Sequence, residues 1–198
     1  MSSAGPGERP PQTIRLVSSM EGPDGAPVLI LANPIGTTRA IWDAQARVLR
    51  EDYRLLRFEL RGHGEPGAQS DAPPGPYSIA ELGTDVLGLM REYGVATAGY
   101  CGISIGGMTG LWLAANAPER ISSSWCAARR SPALGAIKAP TLVIAGAEDQ
   151  AAPPWQGAMT ATGIADSRLR VIRGTSHLAP YQTPGPVTAA IRAHLAAS

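Results

Sequence analysis

The stretch Thr97-Ala98-Gly99-Tyr100-Cys101-Gly102-Ile103-Ser104-Ile105-Gly106-Gly107-Met108 decides the fold of this 198-residue chain. It predicts a short apolar strand, a Gly-x-Ser-x-Gly turn and the apolar start of a helix. A strand that turns straight into a helix places the apex, Ser104, in a strained conformation, so its neighbours must be small. Two interpretations stay open at this point: a nucleophile elbow that presents the Ser104 hydroxyl, or an ordinary glycine-containing strand–helix turn.

Strand and helix patterns alternate on both sides of this stretch. A continuous apolar run at 28–32 is typical of a strand covered on both faces, and further strand patterns lie at 54–60, 140–145 and 168–172. Residues 121–126 form a weaker strand pattern because they are rich in serine. We predict an α/β fold with a mostly parallel sheet and helices on both of its faces. Residues 13–198 are expected to form one domain, after a disordered Ser-, Gly- and Pro-rich lead-in at 1–12.

Helix boundaries follow from capping signals. Thr37 or Thr38 is a candidate cap for a helix that continues to Leu49. Ser78 and Glu81 have the spacing of a capping box. A final helix is predicted over 187–196, after a Pro/Gly break.

The composition excludes several classes of function. With 17 basic and 16 acidic residues the net charge is +1, so no nucleic-acid or membrane partner is expected. No apolar run approaches the roughly 18 residues of a membrane span, and a cytoplasmic location is expected. Cys101 and Cys126 stand in apolar contexts and are predicted to be buried free thiols.

Chemistry in an open parallel sheet is expected beyond the carboxyl ends of the strands. A serine hydroxyl there needs a base within hydrogen-bond reach, and histidine is the usual one. His177 follows the last predicted strand and is the best candidate, although a lone loop histidine is the alternative. We predict a structural role for His63, in a Gly-His-Gly loop, and a surface or packing role for His194 on the last helix.

A histidine base needs a carboxylate to orient it, and residues 121–140 contain neither Asp nor Glu. Glu148 and Asp149 both follow a strong strand, and we favour Asp149, with Glu148 as an outward-facing charge. The order Ser104, Asp149, His177 is the chain order of the α/β-hydrolase triad.

An oxyanion hole would complete such a site. One donor is predicted to be the backbone N–H of Ile105, directly after the nucleophile. Ile35, in the loop after strand 28–32, is the second candidate, because Pro34 has no N–H to donate. The alternative for the Asn33-Pro34-Ile35-Gly36 loop is a plain turn.

Taken together, these motifs resemble the 3-oxoadipate enol-lactonase branch of the α/β-hydrolases. The matching stretches are Asn33-Pro34-Ile35-Gly36-Thr37-Thr38, Trp42-Asp43 with Gln45, Arg61-Gly62-His63-Gly64, Gly75-Pro76-Tyr77-Ser78, residues 101–108, residues 112–120, residues 139–146 and residues 174–177. The resemblance implies Ser104 as nucleophile, Asp149 as orienting acid, His177 as base, and Ile35 and Ile105 as oxyanion donors. It implies no metal and no organic cofactor.

The chain departs from this family in its connections. The family has a helical cap of several tens of residues between the strand after the elbow helix and the strand before the acid, whereas only 122–139 lie there in this chain. We therefore expect no cap and an open site.

Glu59 stands where the family usually has Asp, and the loop 65–67 is altered. A substrate carboxylate would meet Arg39, Arg129 or Arg130, for which solvated surface positions are the alternative.

The sequence predicts a serine hydrolase that cleaves a small-molecule ester or lactone through an acyl-enzyme. The resemblance implies 3-oxoadipate enol-lactone, an intermediate of aromatic catabolism, as substrate. A general carboxylesterase, a cofactor-free perhydrolase and a capless, non-catalytic binding module remain alternatives. The oligomeric state is left open, and a homo-oligomer is one possibility.

Overall fold

The computed structural model describes residues 14–64, 72, 75–127 and 133–197. Within these ranges the chain forms one seven-stranded sheet in the order β1-β3-β2-β4-β5-β6-β7, in which only β1 runs antiparallel, to β3. The strands are β1 Ser18–Glu21, β2 Val28–Ala32, β3 Arg54–Phe58, β4 Ala98–Ile103, β5 Ile121–Ala127, β6 Thr141–Gly146 and β7 Ser167–Ile172. The predicted α/β class with a mostly parallel sheet is confirmed.

Helices cover both faces of the sheet. They are α1 Asp43–Leu49, α2 Ile79–Glu92, α3 Ile105–Asn116, α4 Pro154–Thr162, α5 Ala179–Gln182 and α6 Pro184–Leu195, with short 3-10 turns at Arg39–Trp42, Pro118–Arg120 and Leu134–Ala136. One apolar cluster lies between the sheet and α2, α3 and α4, and a second lies between the sheet and α1, α5 and α6.

Alternate residues of each central strand enter opposite clusters. In β2, Ile30 and Ala32 pack on the α2–α3 side, while Leu29 and Leu31 pack on the α1–α6 side. All four are fully buried. Because both faces are covered, the strand needs apolar residues at every position, which explains its unbroken apolar sequence.

Strand β5 forms in spite of its serines. Ser123 and Ser124 are buried between β4 and β6, and the parallel ladders on both sides satisfy the backbone of the strand. Trp125 and Cys126 supply its apolar contacts, one to each cluster. Polar side chains therefore do not exclude a central strand when they are small and the strand pairs on both edges.

Three local predictions have different outcomes. Ser78 and Glu81 form the predicted capping box of α2. Thr38, one of the two predicted caps, occupies the N-cap position of the 3-10 turn that leads into α1, but it makes no side-chain cap bond, and Thr37 Oγ1 donates to the Pro34 carbonyl. Helix α6 begins at Pro184, inside the predicted break, because proline is suited to the first turn of a helix, where its missing N–H is not needed.

The connection from β5 to β6 is short. It runs over residues 128–140 and contains only the 3-10 turn Leu134–Ala136 among its described residues. Arg129 and Arg130 lie outside the described residues, as do the lead-in 1–12 and the altered loop 65–67. In the part of the chain that the structure describes, no helix is both long enough and apolar enough to span a membrane.

Both cysteines are buried and free, as predicted. Burial raises the pKa of both thiols, that of Cys126 to about 12. Neither thiol is therefore a candidate nucleophile at neutral pH.

His194 has a packing role, one of its two predicted roles, because it is 7% exposed on α6. Burial lowers the pKa of its imidazole, and hydrogen bonds to the backbone of Pro140 and Ser124 oppose that shift. The unfolded chain, in which a histidine titrates near 6.5, therefore binds a proton more readily than the folded chain. The stability that neutral His194 contributes is present above the unfolded pKa and is lost as the pH falls toward the folded value.

We predict that the free energy of unfolding falls between pH 7.5 and pH 5.5 more steeply for the wild-type chain than for His194→Gln, because glutamine cannot titrate. Urea unfolding at several pH values measures both slopes. His63 and His177 are present in both proteins, so their contributions cancel in the comparison. Equal slopes would show that His194 is not a source of acid sensitivity.

Candidate active site

Ser104 lies at the sharp turn between β4 and α3. Its backbone angles are φ 53° and ψ −119°, and among the described residues it is the one non-glycine residue with a positive φ. A Cβ on Gly106 would lie 2.6 Å from the Ala32 carbonyl oxygen, and one on Gly102 would lie 2.6 Å from the Gly107 nitrogen. Both glycines of the motif are therefore required by close backbone approach. The strain at Ser104 and the two glycines are the features of a nucleophile elbow.

Asp149 lies in the turn after β6 and is 7% exposed. Its Oδ1 accepts hydrogen bonds from the backbone N–H groups of Ala151 at 2.8 Å and Ala152 at 2.9 Å. Burial alone would raise the pKa of this carboxyl, but the bonds from Ala152, His177 and Ala151 outweigh burial and lower it. The side chain is therefore a carboxylate at neutral pH, with one oxygen committed to the backbone and the other left for His177.

His177 follows β7, and its Nδ1 lies 2.8 Å from Asp149 Oδ2. An ionised carboxylate can only accept, so Nδ1 carries the proton and Nε2 is the basic nitrogen in the neutral ring. The imidazole is about one-third exposed, which leaves it within reach of a ligand. The structure thus brings together two of the three predicted triad residues in a direct bond.

Ser104 lies at the same edge of the sheet as this pair, because β4, β6 and β7 are parallel and each ends there. Among the described contacts, the Ser104 hydroxyl makes no hydrogen bond to His177. Catalytic hydrogen bonds of this kind are often long in the unliganded enzyme and tighten when substrate binds.

The loop after β2 holds the candidate oxyanion donor Ile35. Asn33 is fully buried, and its Nδ2 donates to the Thr37 carbonyl at 2.9 Å, which closes the loop. The N–H of Gly36 donates to His63 Nε2 at 3.2 Å, whereas no hydrogen bond from the Ile35 N–H occurs in the described part of the chain. Ile105 is the first residue of α3, where a backbone N–H has no partner within the helix. Both predicted donors are therefore available.

His63 has the predicted structural role. Its Nδ1 lies 3.1 Å from the Arg61 carbonyl oxygen, and its Nε2 accepts from Gly36. One neutral tautomer satisfies both contacts, with the proton on Nδ1. Arg61 is itself held by two 2.6 Å bonds to Asp85 on α2. The imidazole therefore braces the loop that carries Ile35 and is not placed to serve as the base.

Glu59 and Arg39 brace the other end of this loop. The buried carboxylate of Glu59 accepts from the Arg39 backbone N–H at 3.1 and 3.2 Å and lies 3.8 Å from Arg39 Nε. Arg39 is thus an ion-paired residue and not a freely solvated charge. The Glu59 side chain is longer than the aspartate usual at this position in the family, and its carboxylate reaches the backbone N–H of Arg39.

Sequence reasoning missed two side chains that hold the histidine loop. Glu148 was expected to be an outward charge, and it is exposed, but its Oε1 accepts the Gly174 N–H at 3.0 Å. Gln182 was not singled out at all, and its Oε1 accepts three hydrogen bonds from Thr175 and Ser176. No local sequence signal identifies such a bond, because it depends on how α5 folds back.

Little of the described chain covers the site. A cavity is lined by Asp149 and His177 together with residues of β6, α4 and the histidine loop, and Ser104 is not among its lining residues. Ile35, Trp155 and Tyr181, which follow β2, β6 and β7, are 64%, 59% and 72% exposed.

Among the described residues no group of three or more His, Cys, Asp or Glu side chains forms a candidate metal site.

Comparison with known proteins gives the same fold. A family model described as alpha/beta hydrolase fold matches residues 27–129, a segment that includes Ser104, Ile35 and Ile105 but neither Asp149 nor His177. The structure is similar to the enol-lactonase from Burkholderia xenovorans LB400, with a TM-score of 0.85 and 28% identity, over 91% of this chain and 96% of that one. An esterase from Thermogutta terrifontis has the same fold, with a TM-score of 0.82 and 23% identity over 92% of this chain and 93% of that one.

Curated relatives match a shorter segment. The chain is 39% identical over 111 residues to 3-oxoadipate enol-lactonase 2 of Acinetobacter baylyi, which is 56% of this chain and 40% of that protein. It is 33% identical over 97 residues to the putative carbamate hydrolase RutD of Caulobacter segnis, which is 49% of this chain and 36% of that protein. The resemblance to enol-lactonases is confirmed, and these matches span about two-fifths of the relatives' length.

We predict that Gly106→Ala lowers the free energy of unfolding by about 1–3 kcal/mol, because the methyl group would be forced against the Ala32 and Asn33 carbonyl oxygens. Chemical denaturation measures the change. Gly185→Ala in α6 is the control, because nothing lies within 4 Å of its added Cβ, and alanine there should be neutral or slightly stabilising. Equal stabilities for the two variants would contradict the close approach of α3 to β2.

Proposed function

This chain belongs to the alpha/beta hydrolase family, and we propose that it cleaves a carboxylic ester or lactone with Ser104 as its nucleophile. The observation that carries the proposal is the 2.8 Å bond between His177 Nδ1 and Asp149 Oδ2, at the edge where the strained Ser104 turn ends β4. A histidine held by a buried carboxylate, at the same sheet edge as a serine elbow, is the arrangement expected to activate a hydroxyl for acyl transfer.

In the first half of the reaction, His177 Nε2 takes the Ser104 hydroxyl proton as Oγ attacks the substrate carbonyl carbon. Asp149 keeps the proton on Nδ1 and stabilises the imidazolium that forms. The carbonyl oxygen becomes an oxyanion and accepts hydrogen bonds from the Ile35 and Ile105 N–H groups. When the C–O bond breaks, His177 returns the proton to the departing oxygen, and the acyl group stays on Ser104.

In the second half, His177 removes a proton from a water molecule, and the hydroxide attacks the acyl carbon. The same two N–H groups receive the second oxyanion. Ser104 then leaves with a proton from His177, and the carboxylic acid is released. In a lactone the leaving oxygen is part of the acyl chain, so the ring opens into one product.

An enol-lactone is the substrate that similarity favours, because 3-oxoadipate enol-lactonases of Acinetobacter baylyi are 39% and 37% identical over the matched segments. A small carboxylic ester is the next candidate. The relative described as a putative carbamate hydrolase makes a carbamate a third arm of the substrate panel. All three are attacked at a carbonyl carbon, so the same residues serve each of them.

A non-catalytic binding module is the second candidate function. The exposed Ile35, Trp155 and Tyr181 side chains at the carboxyl edge favour it, since apolar side chains there offer a binding surface. Such a protein would react with a serine-directed phosphonate at Ser104 without turning over any ester, lactone or carbamate.

We expect Ser104→Ala to lower kcat by at least about 10³-fold on every substrate that the wild-type chain turns over, because the acyl-enzyme cannot form. Turnover of the enol-lactone and of a chromogenic short-chain ester measures this, and phosphonate labelling should disappear in parallel. Ser122→Ala is the control, because Ser122 is exposed near the amino end of β5. Activity retained in Ser104→Ala would refute the serine mechanism for that substrate.

Ile35→Pro removes one oxyanion donor, and we expect it to lower kcat by about 10²–10³-fold while KM changes little. Ile35→Ala keeps the N–H and loses only an exposed side chain, so its kcat should stay near that of the wild type. Thermal unfolding verifies that both variants are folded at the assay temperature. Equal kcat values in the two variants would exclude the Ile35 N–H as a donor.

A further inference from the structure

Three hydrogen bonds converge on one oxygen of Gln182. Its Oε1 accepts from Thr175 Oγ1 at 3.0 Å, from the Ser176 backbone N–H at 2.9 Å and from Ser176 Oγ at 3.0 Å. An amide oxygen has two lone pairs, so three donors saturate it as an acceptor. All three donors belong to the two residues that directly precede His177.

Helix α5 brings Gln182 back to this loop. The Leu178 carbonyl accepts from the backbone N–H groups of Tyr181 at 2.9 Å and Gln182 at 3.0 Å, so the chain reverses within five residues of His177. The fully buried Gln45 of α1 donates from Nε2 to the Pro180 carbonyl at 2.9 Å. Gln182 is therefore attached to the helical layer of the core through α5, although its own side chain is exposed.

The opposite side of the histidine loop is attached to the acid loop. The Glu148 N–H donates to the Thr175 carbonyl at 3.0 Å, and Gly174 donates to the Glu148 carboxylate at 3.0 Å. These bonds hold the beginning of the loop. Only Gln182, within the described contacts, fixes the backbone N–H and side chain of Ser176, the residue that leads into His177.

We propose that Gln182 is a positioning residue for His177, an inference that rests on the serine-hydrolase function proposed above. Its carbonyl oxygen fixes Thr175 and Ser176 so that the imidazole keeps its bond to Asp149 at the sheet edge where the Ser104 turn also lies. The role needs an acceptor and not a charge or an N–H donor. Displacing a catalytic group by even about 1 Å costs up to 10²-fold in rate.

The test compares Gln182→Met with Gln182→Glu. Methionine has similar length and no strong acceptor, whereas glutamate keeps the acceptor oxygen at an exposed position where its charge is solvated. We expect Gln182→Met to lower kcat by about 10–100-fold with KM within twofold, and Gln182→Glu to restore kcat to within about threefold. Thermal unfolding of both variants verifies that the assay compares folded proteins.

A second readout does not need a substrate. The proton between His177 Nδ1 and Asp149 gives a downfield imidazole resonance in the proton NMR spectrum of the full chain. We expect this resonance to be sharp in the wild type and in Gln182→Glu, and broadened or lost in Gln182→Met. A purely structural role would lower the melting temperature and leave the resonance unchanged.

Two results would overturn the inference: a sharp resonance in Gln182→Met, or a Gln182→Glu variant as impaired as Gln182→Met. Failure of the proposed function gives a different pattern, with no turnover by the wild type on any substrate of the panel, whether or not a phosphonate labels Ser104. In that case the resonance still reports whether Gln182 holds His177.

Discussion

The close approach of α3 to the end of β2 is the contact on which the site depends. Gly106 lets the main chain of residues 32 and 33 lie against the first turn of α3, closer than any side chain would permit. This contact brings the Ile105 N–H and the loop of Ile35 to the same place, although 70 residues separate them in the chain. The close approach also accounts for the strained conformation of Ser104. Helix α3 can begin this close to the sheet only if the chain reverses sharply at that residue.

Hydrogen bonds outside the reacting atoms hold the loops of Ile35 and Asp149 in place. His63 braces the loop of Ile35 through Gly36, and Glu59 braces it through Arg39. The backbone N–H groups of Ala151 and Ala152 fix one oxygen of Asp149. In each of these braces a backbone N–H donates to a side-chain acceptor, which fixes a loop at low cost because only one side chain has to be ordered. The candidate active site thus includes the residues that hold its loops, as well as the groups proposed to react.

Much of the fold was predictable, because two-sided burial leaves an unbroken apolar pattern and tight turns demand glycine. The elbow, the sheet class and the capping box at Ser78 follow from local signals, whereas the Asp149–His177 pair follows from the position of both residues after strands and from the chain order of a triad. The threonine cap before α1 was predicted in position but not in bonding, since Thr38 is the N-cap without a side-chain cap bond and Thr37 bonds instead to the Pro34 carbonyl. Prediction also missed α5 and the roles of Glu148 and Gln182. Those depend on bonds between loops after different strands, and hydrogen bonds of this kind leave no periodic pattern in the sequence.

The order of the elements along the chain divides the site into two halves. In the proposed reaction, the chain before the β5–β6 connection would supply the attacking hydroxyl and the oxyanion donors, and the chain after it would supply the acid and the base. The two halves meet through the parallel pairing of β5 with β6 and through the packing of α6 on α1. Neither half contains all the residues that the proposed acyl transfer needs. Turnover would therefore be observed only when the two halves are docked. The chain therefore has the layout of a complementation pair, in which two separate fragments, one ending with β5 and the other beginning before β6, would each carry part of the proposed site.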